Sequence, residues 1–213
     1  ILNNLFKTSL SNLEIEDIIF SSENNFSIDI NNKFRINNLI LKSYLNLDSL
    51  KFKNNYLAIK EYIPNFEEFI KLENHKISIN YNKDQLDIKG KGQIIINSKS
   101  DNLDYKIIKN NNQYSFDSNI NINNNPLTIN ALEYEKKEDS NSVLNLKDIY
   151  EKNKKIIFNL ISLKEKDNIF LLKNLELDNE LKIEDINLLK LNFFNKKKIY
   201  NQINLEKKGK NYE

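Results

Sequence analysis

The sequence predicts an all-β chain, mainly antiparallel, built as a long curved meander whose apolar face forms an open groove or taco-like trough. Three observations carry this expectation. Segment after segment alternates apolar and polar residues with period two. Short polar breaks recur about every ten to twelve residues, the spacing that successive antiparallel neighbours require. Only one stretch has helical offsets, so little helix is available to cover the apolar faces that the strands create.

The pattern is plainest from Gln113 to Glu135. Tyr114, Phe116, Ile120 and Ile122 share one parity, with Ser115, Asp117, Asn119 and Asn121 between them. Asn123, Asn124, Asn125 and Pro126 break the run, since Asn accepts left-handed backbone angles and Pro cannot donate to a ladder. Leu127 and Ile129 resume it, and a β-bulge at Ala131 explains the slip before Leu132 and Tyr134. The stretch reads as a hairpin.

Earlier in the chain, Leu13 to Phe20 and Phe26 to Ile30 read as a hairpin about a turn at Ser21 to Asn25. Phe34 to Leu41 and Leu45 to Phe52 supply two more strands. Residues 57–72 break the rhythm: Leu57, Ile59, Tyr62 and Ile63, then Phe66, Phe69 and Ile70 beyond Pro64, sit at offsets of three and four. This predicts a short helical segment, with Asn65 capping its second piece. The chain thus divides into a meander over 1–55, a helical connection over 56–74, and a meander over 75–213 that continues the same sheet.

Past Lys76, Ile77 to Tyr81, Leu86 to Ile96 and Leu103 to Ile107 read as strands. Gly90 and Gly92 share the apolar parity, which marks a strand sharply curved or closely approached. No helix start follows them, so they do not form a phosphate cradle. Val143 to Tyr150 fits either a strand or a helical turn, and four further strands follow between Ile157 and Leu205.

Composition narrows the function classes. Hydrophobic residues make up 39% of 213, enough to cover one face of a large sheet but lean for a thick core. Lys plus Arg at 32 against Asp plus Glu at 30 leaves a net charge of +2, and Arg35 is the single arginine. That balance gives no field for nucleic acid and almost no bidentate phosphate recognition. Absence of cysteine removes disulfides and thiolate metal sites. About a fifth of the residues are Asn, dispersed among charges, which reflects an A/T-rich genome and lets Asn stand in for Gly, Asp or Ser at turns.

No residue set calls for catalysis. His75, the only histidine, reads as solvent-exposed beside a loop Asn. Carboxylates at Glu14, Glu16 and Asp17, at Glu67 and Glu68, and at Glu184 and Asp185 read as solvated faces without calcium-loop spacing. Lysines at 196–198 and at 207, 208 and 210 mark strand breaks and protect edges. The expectation is a binding or structural module: no enzyme, no cofactor, no metal, no nucleic-acid partner. The start at Ile1, without methionine or signal-like segment, reads as an internal fragment whose anchor or export signal lies outside it.

The run from Gln113 through Asn123 to Pro126, Leu127, Ile129, Glu133, Tyr134 and Glu135, then Ile161 to Asn168, and Leu175 through Leu181, Ile183, Asp185, Ile186 and Leu191 to Tyr212, resembles the AsmA-like superfamily of repeating β-groove bridge proteins. Within it, the likeness is to YhdP-type members from A/T-rich marine α-proteobacteria. It covers the C-terminal half best and the first half in texture. It implies the periplasmic part of an inner-membrane-anchored protein that carries phospholipid between inner and outer membranes. Tyr114, Phe116, Ile120, Ile122, Leu127 and Ile129 would then face lipid. The alternative is a structural or adhesin-like β-sandwich module with its apolar face packed internally; an outer-membrane barrel ranks third.

Overall fold

Alternating segments become strand wherever a neighbour can pair with them, and here nearly every segment has its predecessor for a neighbour. The computed structural model describes residues 13–54, 60–83, 85–151, 156–178, 182–209 and 211–212. The main sheet takes its strands in chain order: β1 (Leu13–Ile30), β2 (Ile36–Asn54), β3 (Phe69–Asn82), β4 (Gln85–Ile96), β5 (Lys99–Asn110) and β6 (Gln113–Asn121). An excursion over residues 122–141 holds β7 (Leu127–Ile129) and β8 (Tyr134–Lys136), which pair only with each other. The meander then resumes with β9 (Ser142–Glu151), β10 (Ile156–Glu165), β11 (Asn168–Leu177), β12 (Ile183–Phe194) and β13 (Tyr200–Lys208). A stub, β14 (Asn211–Tyr212), adds to the edge of β13. All pairings are antiparallel, and the ends β1 and β13 do not meet. The result is an all-β curved sheet left open.

Because the side-chain period is two, register decides which residues share a face. Gly92 opposes Leu103, which opposes Ile120, then Leu144, Leu163, Phe170, Leu191 and Ile203 in successive strands. Almost every member of that row is apolar, and one face therefore carries a continuous hydrophobic floor across eight strands. The opposite face is mixed, with Ile95, Ile108, Val143 and Leu171 among polar pairs: Lys147 Nζ lies 2.9 Å from Asp117, and Asn119 Nδ2 donates to Asn145 Oδ1 at 2.7 Å. Such exposed pairs contribute little to stability, but they keep that face wet.

Asparagine does the work of glycine both in connections, at 65, 97 and 111, and inside β3 and β11, at 74 and 174. Asn65, Asn74, Asn97, Asn111 and Asn174 all have φ near +50°. Between β4 and β5, Asn97 and Ser98 both take positive φ while Ile96 pairs with Lys99, the geometry whose twist matches a two-residue hairpin.

Three expectations need correction. Ser21 to Asn25 is not a turn: it lies inside β1, paired with Asn46 to Lys42, and the chain reverses at Asn31–Arg35. The four short strands expected before Phe52 are two long ones, with register shifts at Ile15/Asp17, Ile19/Phe20 and Asp29/Ile30. Both faces of β1 are solvated, so its sequence carries no burial constraint that would separate polar strand from turn. The helical segment expected over 57–72 is reduced, in its described part, to the 3-10 residues Lys60 and Glu61. Phe69 to Leu72 belong to β3, with Phe52 opposite Ile70 and Ile70 opposite Ile96, and Tyr62 to Glu68 form turns and bends. Long-range pairing with two neighbours outweighs a local offset pattern; residues 57–59 lie outside the described set. Val143 to Tyr150 resolves as strand β9.

The two strand glycines sit where rings cross the floor. A Cβ on Gly90 would lie 2.2 Å from the Tyr105 ring, and one on Gly92 would lie 2.4 Å from the His75 ring and 2.8 Å from its Cα. His75, expected at the surface, is fully buried; a register shift between Glu73 and Lys76 turns it onto the floor, its ring 5.9 Å from that of Tyr105. Its Nε2 donates to Gln93 O at 2.9 Å, and Nδ1 has no protein partner. Desolvation holds the imidazole below its ordinary pKa of 6.5, and the bond to Gln93 only partly offsets this. The unfolded chain then takes up the proton first as pH falls. Stability declines from about pH 6.5 down to the lowered native pKa. Denaturant unfolding between pH 7 and 5 checks it: His75→Gln flattens this part of the profile, and an unchanged slope would show that His75 does not set it.

Candidate functional site: a capped apolar trough

Antiparallel connectivity gathers alternate turns at one end of the sheet. The β2–β3, β4–β5, β10–β11 and β12–β13 connections and the excursion from β6 to β9 all lie there. The excursion folds back over the floor instead of pairing with β6. Asn123 to Pro126 does turn the chain, as its residue types predict, but β6 pairs with β5 and β9, and the hairpin is the separate β7–β8 pair. The slip at Ala131 is no bulge either. It is a 3-10 turn over Asn130–Leu132 that ends on Glu133 in the left-handed region, φ 48°.

The underside of this cap supplies Tyr134, whose ring is 4.5 Å from that of Phe170 and 6.1 Å, edge-on, from that of Phe193. Leu163 and Leu191 complete a buried cluster, with Leu127, Ile129 and Leu132 packed against it. The cap thus adds a second layer over one end of β9–β12.

Polar latches hold it at several points. The Asp101 carboxylate, from β5, accepts the backbone N–H groups of Asn123, Asn124 and Asn125 at 2.8, 3.0 and 3.2 Å, and Asn125 Nδ2 at 2.8 Å. Lys136 is fully buried and donates to the carbonyl oxygens of Asn123, Asn125 and Lys137 at 3.1, 2.7 and 3.0 Å. Burial holds its ammonium below the usual lysine range, with nearby carboxylates, Asp101 foremost, pulling the other way. Glu165 receives Tyr134 Oη at 2.7 Å, Ser140 Oγ at 2.5 Å and Asn168 Nδ2 at 2.8 Å. Burial works to raise its pKa; those three bonds outweigh it and leave the carboxyl below its ordinary range. The Tyr134 phenol is pushed well above its own range by burial and by that carboxylate. At the margins, Thr128 N–H donates to Tyr62 O at 2.8 Å, and Lys196 N–H to Glu133 O at 2.8 Å. Lys197 lies 3.2 Å from Glu133, so one lysine group expected to mark a strand break also clamps the cap.

Between cap and floor lies a cavity of about 700 Å³. Ile120 and Ile122 from the β6 side and Leu127 and Ile129 from the cap line it, four of the six residues singled out by parity. Tyr114 and Phe116 share the parity of Ile120 but are not in its wall; they continue the floor toward the opposite end of the strands, where Tyr114 meets Tyr150 at 6.3 Å. Sequence reading missed Tyr62 and Ile63, assigned to a helix, and the floor residues Leu144, Leu163, Phe170 and Leu191. The alternation of those floor positions was visible; their convergence on the Asn123–Pro126 turn was not. No family model, curated protein or solved structure matches this chain.

Proposed function

We propose that this chain is a periplasmic hydrophobic-groove segment of an AsmA-like protein, carrying phospholipid between inner and outer membranes with its acyl chains against the apolar floor. The observation that carries the reading is the unclosed sheet whose apolar parity runs unbroken from Leu103 through Ile120, Leu144 and Leu163 to Leu191. A sealed core would not leave apolar side chains such as Phe20 and Ile28 open to solvent along the same face. A chain of about sixteen carbons gains on the order of 12 kcal/mol on leaving water, so an apolar trough suffices to hold it. A bilayer offers nearly the same gain, so uptake and release are close to balanced. A structural β-sandwich module is the second reading, favoured by the cluster of Tyr134, Phe170 and Phe193 that packs the cap onto the floor.

Photo-crosslinking in cells separates the two. With the intact protein exported, a photoreactive residue at Phe116 or Ile120 is expected to capture phospholipid, and one at Asp117 on the opposite face is not. Equal labelling of both faces, or none in folded protein, would leave the structural module as the function.

A further inference from the structure

Resting on the reading of this face as a lipid path, we infer that Lys109 and Asp148, at the mouth of the trough, receive the head of a phospholipid that carries both a phosphate and a primary ammonium, such as a phosphatidylethanolamine. Place is the first support. Leu146 and Ile161 belong to the trough wall. Moving away from the cap, the next floor positions on the same two strands are Asp148 and Phe158, which oppose each other. Acyl chains that enter under the cap therefore bring their head to this row.

The make-up of the floor here is the second. The row that runs from Ile79 through Phe116 to Ile186 is apolar except for Asp148. The next row outward, from Tyr81 through Tyr114 to Ile183, has Lys109 as its one charged member. Each row thus holds a single charge, and the two are of opposite sign. They stand two strands over and two residues along from each other, about 12 Å between Cα atoms from strand spacing and rise, too far to pair directly. Neither has an ion-pair partner among the described residues. Lys109 Nζ lies 5.9 Å from the centroid of the Tyr114 ring, on the strand between the two charges. A ligand with its own opposite charges a few ångströms apart bridges that gap, phosphate to Lys109 and ammonium to Asp148.

The third is the state of Asp148. It is half-buried, with Oδ1 sealed off and without a hydrogen-bond partner, so the side chain presents its charge through Oδ2. Burial pushes its carboxyl above the ordinary range, more than the backbone N–H groups of Phe116 and of Asp148 itself hold it down. A carboxylate so placed is stabilised by a cation, and Phe116 and Phe158 on either side favour an organic ammonium. An anionic head without an amine is drawn by Lys109 alone and repelled by Asp148.

Lipid capture by the full chain from mixed vesicles tests this. The vesicles hold equal amounts of phosphatidylethanolamine and phosphatidylglycerol with the same palmitoyl and oleoyl chains, and mass spectrometry counts the lipid that stays with the re-isolated protein. Expected is an excess of phosphatidylethanolamine of about fivefold. Asp148→Asn brings the ratio to about one. Lys109→Met lowers capture of both lipids, and Lys109→Arg restores it. The ratio is read within the captured lipid, so a variant that merely loses stability lowers the total without moving it. An excess of free O-phosphoethanolamine leaves the captured lipid in place, because the acyl chains supply most of the binding. Capture of both lipids at the vesicle ratio, or a ratio that Asp148→Asn does not change, overturns the head site and leaves the lipid path standing. Full capture by Lys109→Met overturns it equally. Displacement by O-phosphoethanolamine overturns the lipid assignment in favour of a soluble ligand, and capture of neither phospholipid overturns the site and the lipid path together.

Discussion

Replacing Tyr134 by Ala is expected to unseat the cap and cost about 4 kcal/mol, the upper part of the range for truncating a buried aromatic. The side chain is fully buried against Phe170 and Phe193, and it bridges the only two layers among the described residues. Truncation removes both ring contacts and the Glu165 hydrogen bond, leaving a buried carboxylate with one donor fewer. Denaturant titration gives the magnitude, and hydrogen exchange gives the location. Protection is expected to fall first in β7 and β8 while β3 to β5 keep theirs. A loss below about 1 kcal/mol would mean that the cap is held by its polar latches and not by this ring. Tyr134→Phe isolates the hydroxyl, because it keeps the ring contacts and loses only the bond to Glu165.

Lys136→Met is the second large effect, expected to cost about 3 kcal/mol. The substitution keeps most of the side-chain volume, so packing changes little; what is lost is the ammonium that ties Asn123, Asn125 and Lys137 together through their carbonyls. A buried charge satisfied on three sides is costly to place but more costly to half-remove, since each orphaned carbonyl carries its own desolvation penalty. The same turn gives its N–H groups to Asp101, so it is held from both sides by opposite charges. Asp101→Asn combined with Lys136→Met is therefore expected to destabilise by less than the sum of the single variants, and a double-mutant cycle measures the coupling. Strict additivity would mean that the two latches hold separate parts of the cap.

Much of this molecule is written in alternation. The parity of Tyr114, Phe116 and Ile120, of Ile77, Ile79 and Tyr81, and of Leu86 to Ile96 specifies strands with one apolar face, because period two has a single geometric meaning. Asparagine at 97 and 111 specifies tight reversals for an equally local reason. The glycines at 90 and 92 announced a close approach, although not the rings that make it. What local pattern did not reveal depends on partners distant in sequence. Ser21 to Asn25 is strand because β2 lies beside it, and Phe69 to Leu72 is strand because β2 and β4 flank it. His75 is buried because a register shift beside Asn74 turns it inward.

The cap marks the same divide most clearly. Sequence placed a turn at Asn123 to Pro126 and apolar residues at Leu127 and Ile129; only the tertiary structure turned them onto the sheet and away from its ladder. The reason is that β6 meets β9 in the sheet, with Ile120 opposite Leu144, so the residues between must leave the plane and bury their apolar side against the floor. Alternation determined that this chain would have an apolar face. The long-range pairing of its strands decided how much of that face is covered, and by what.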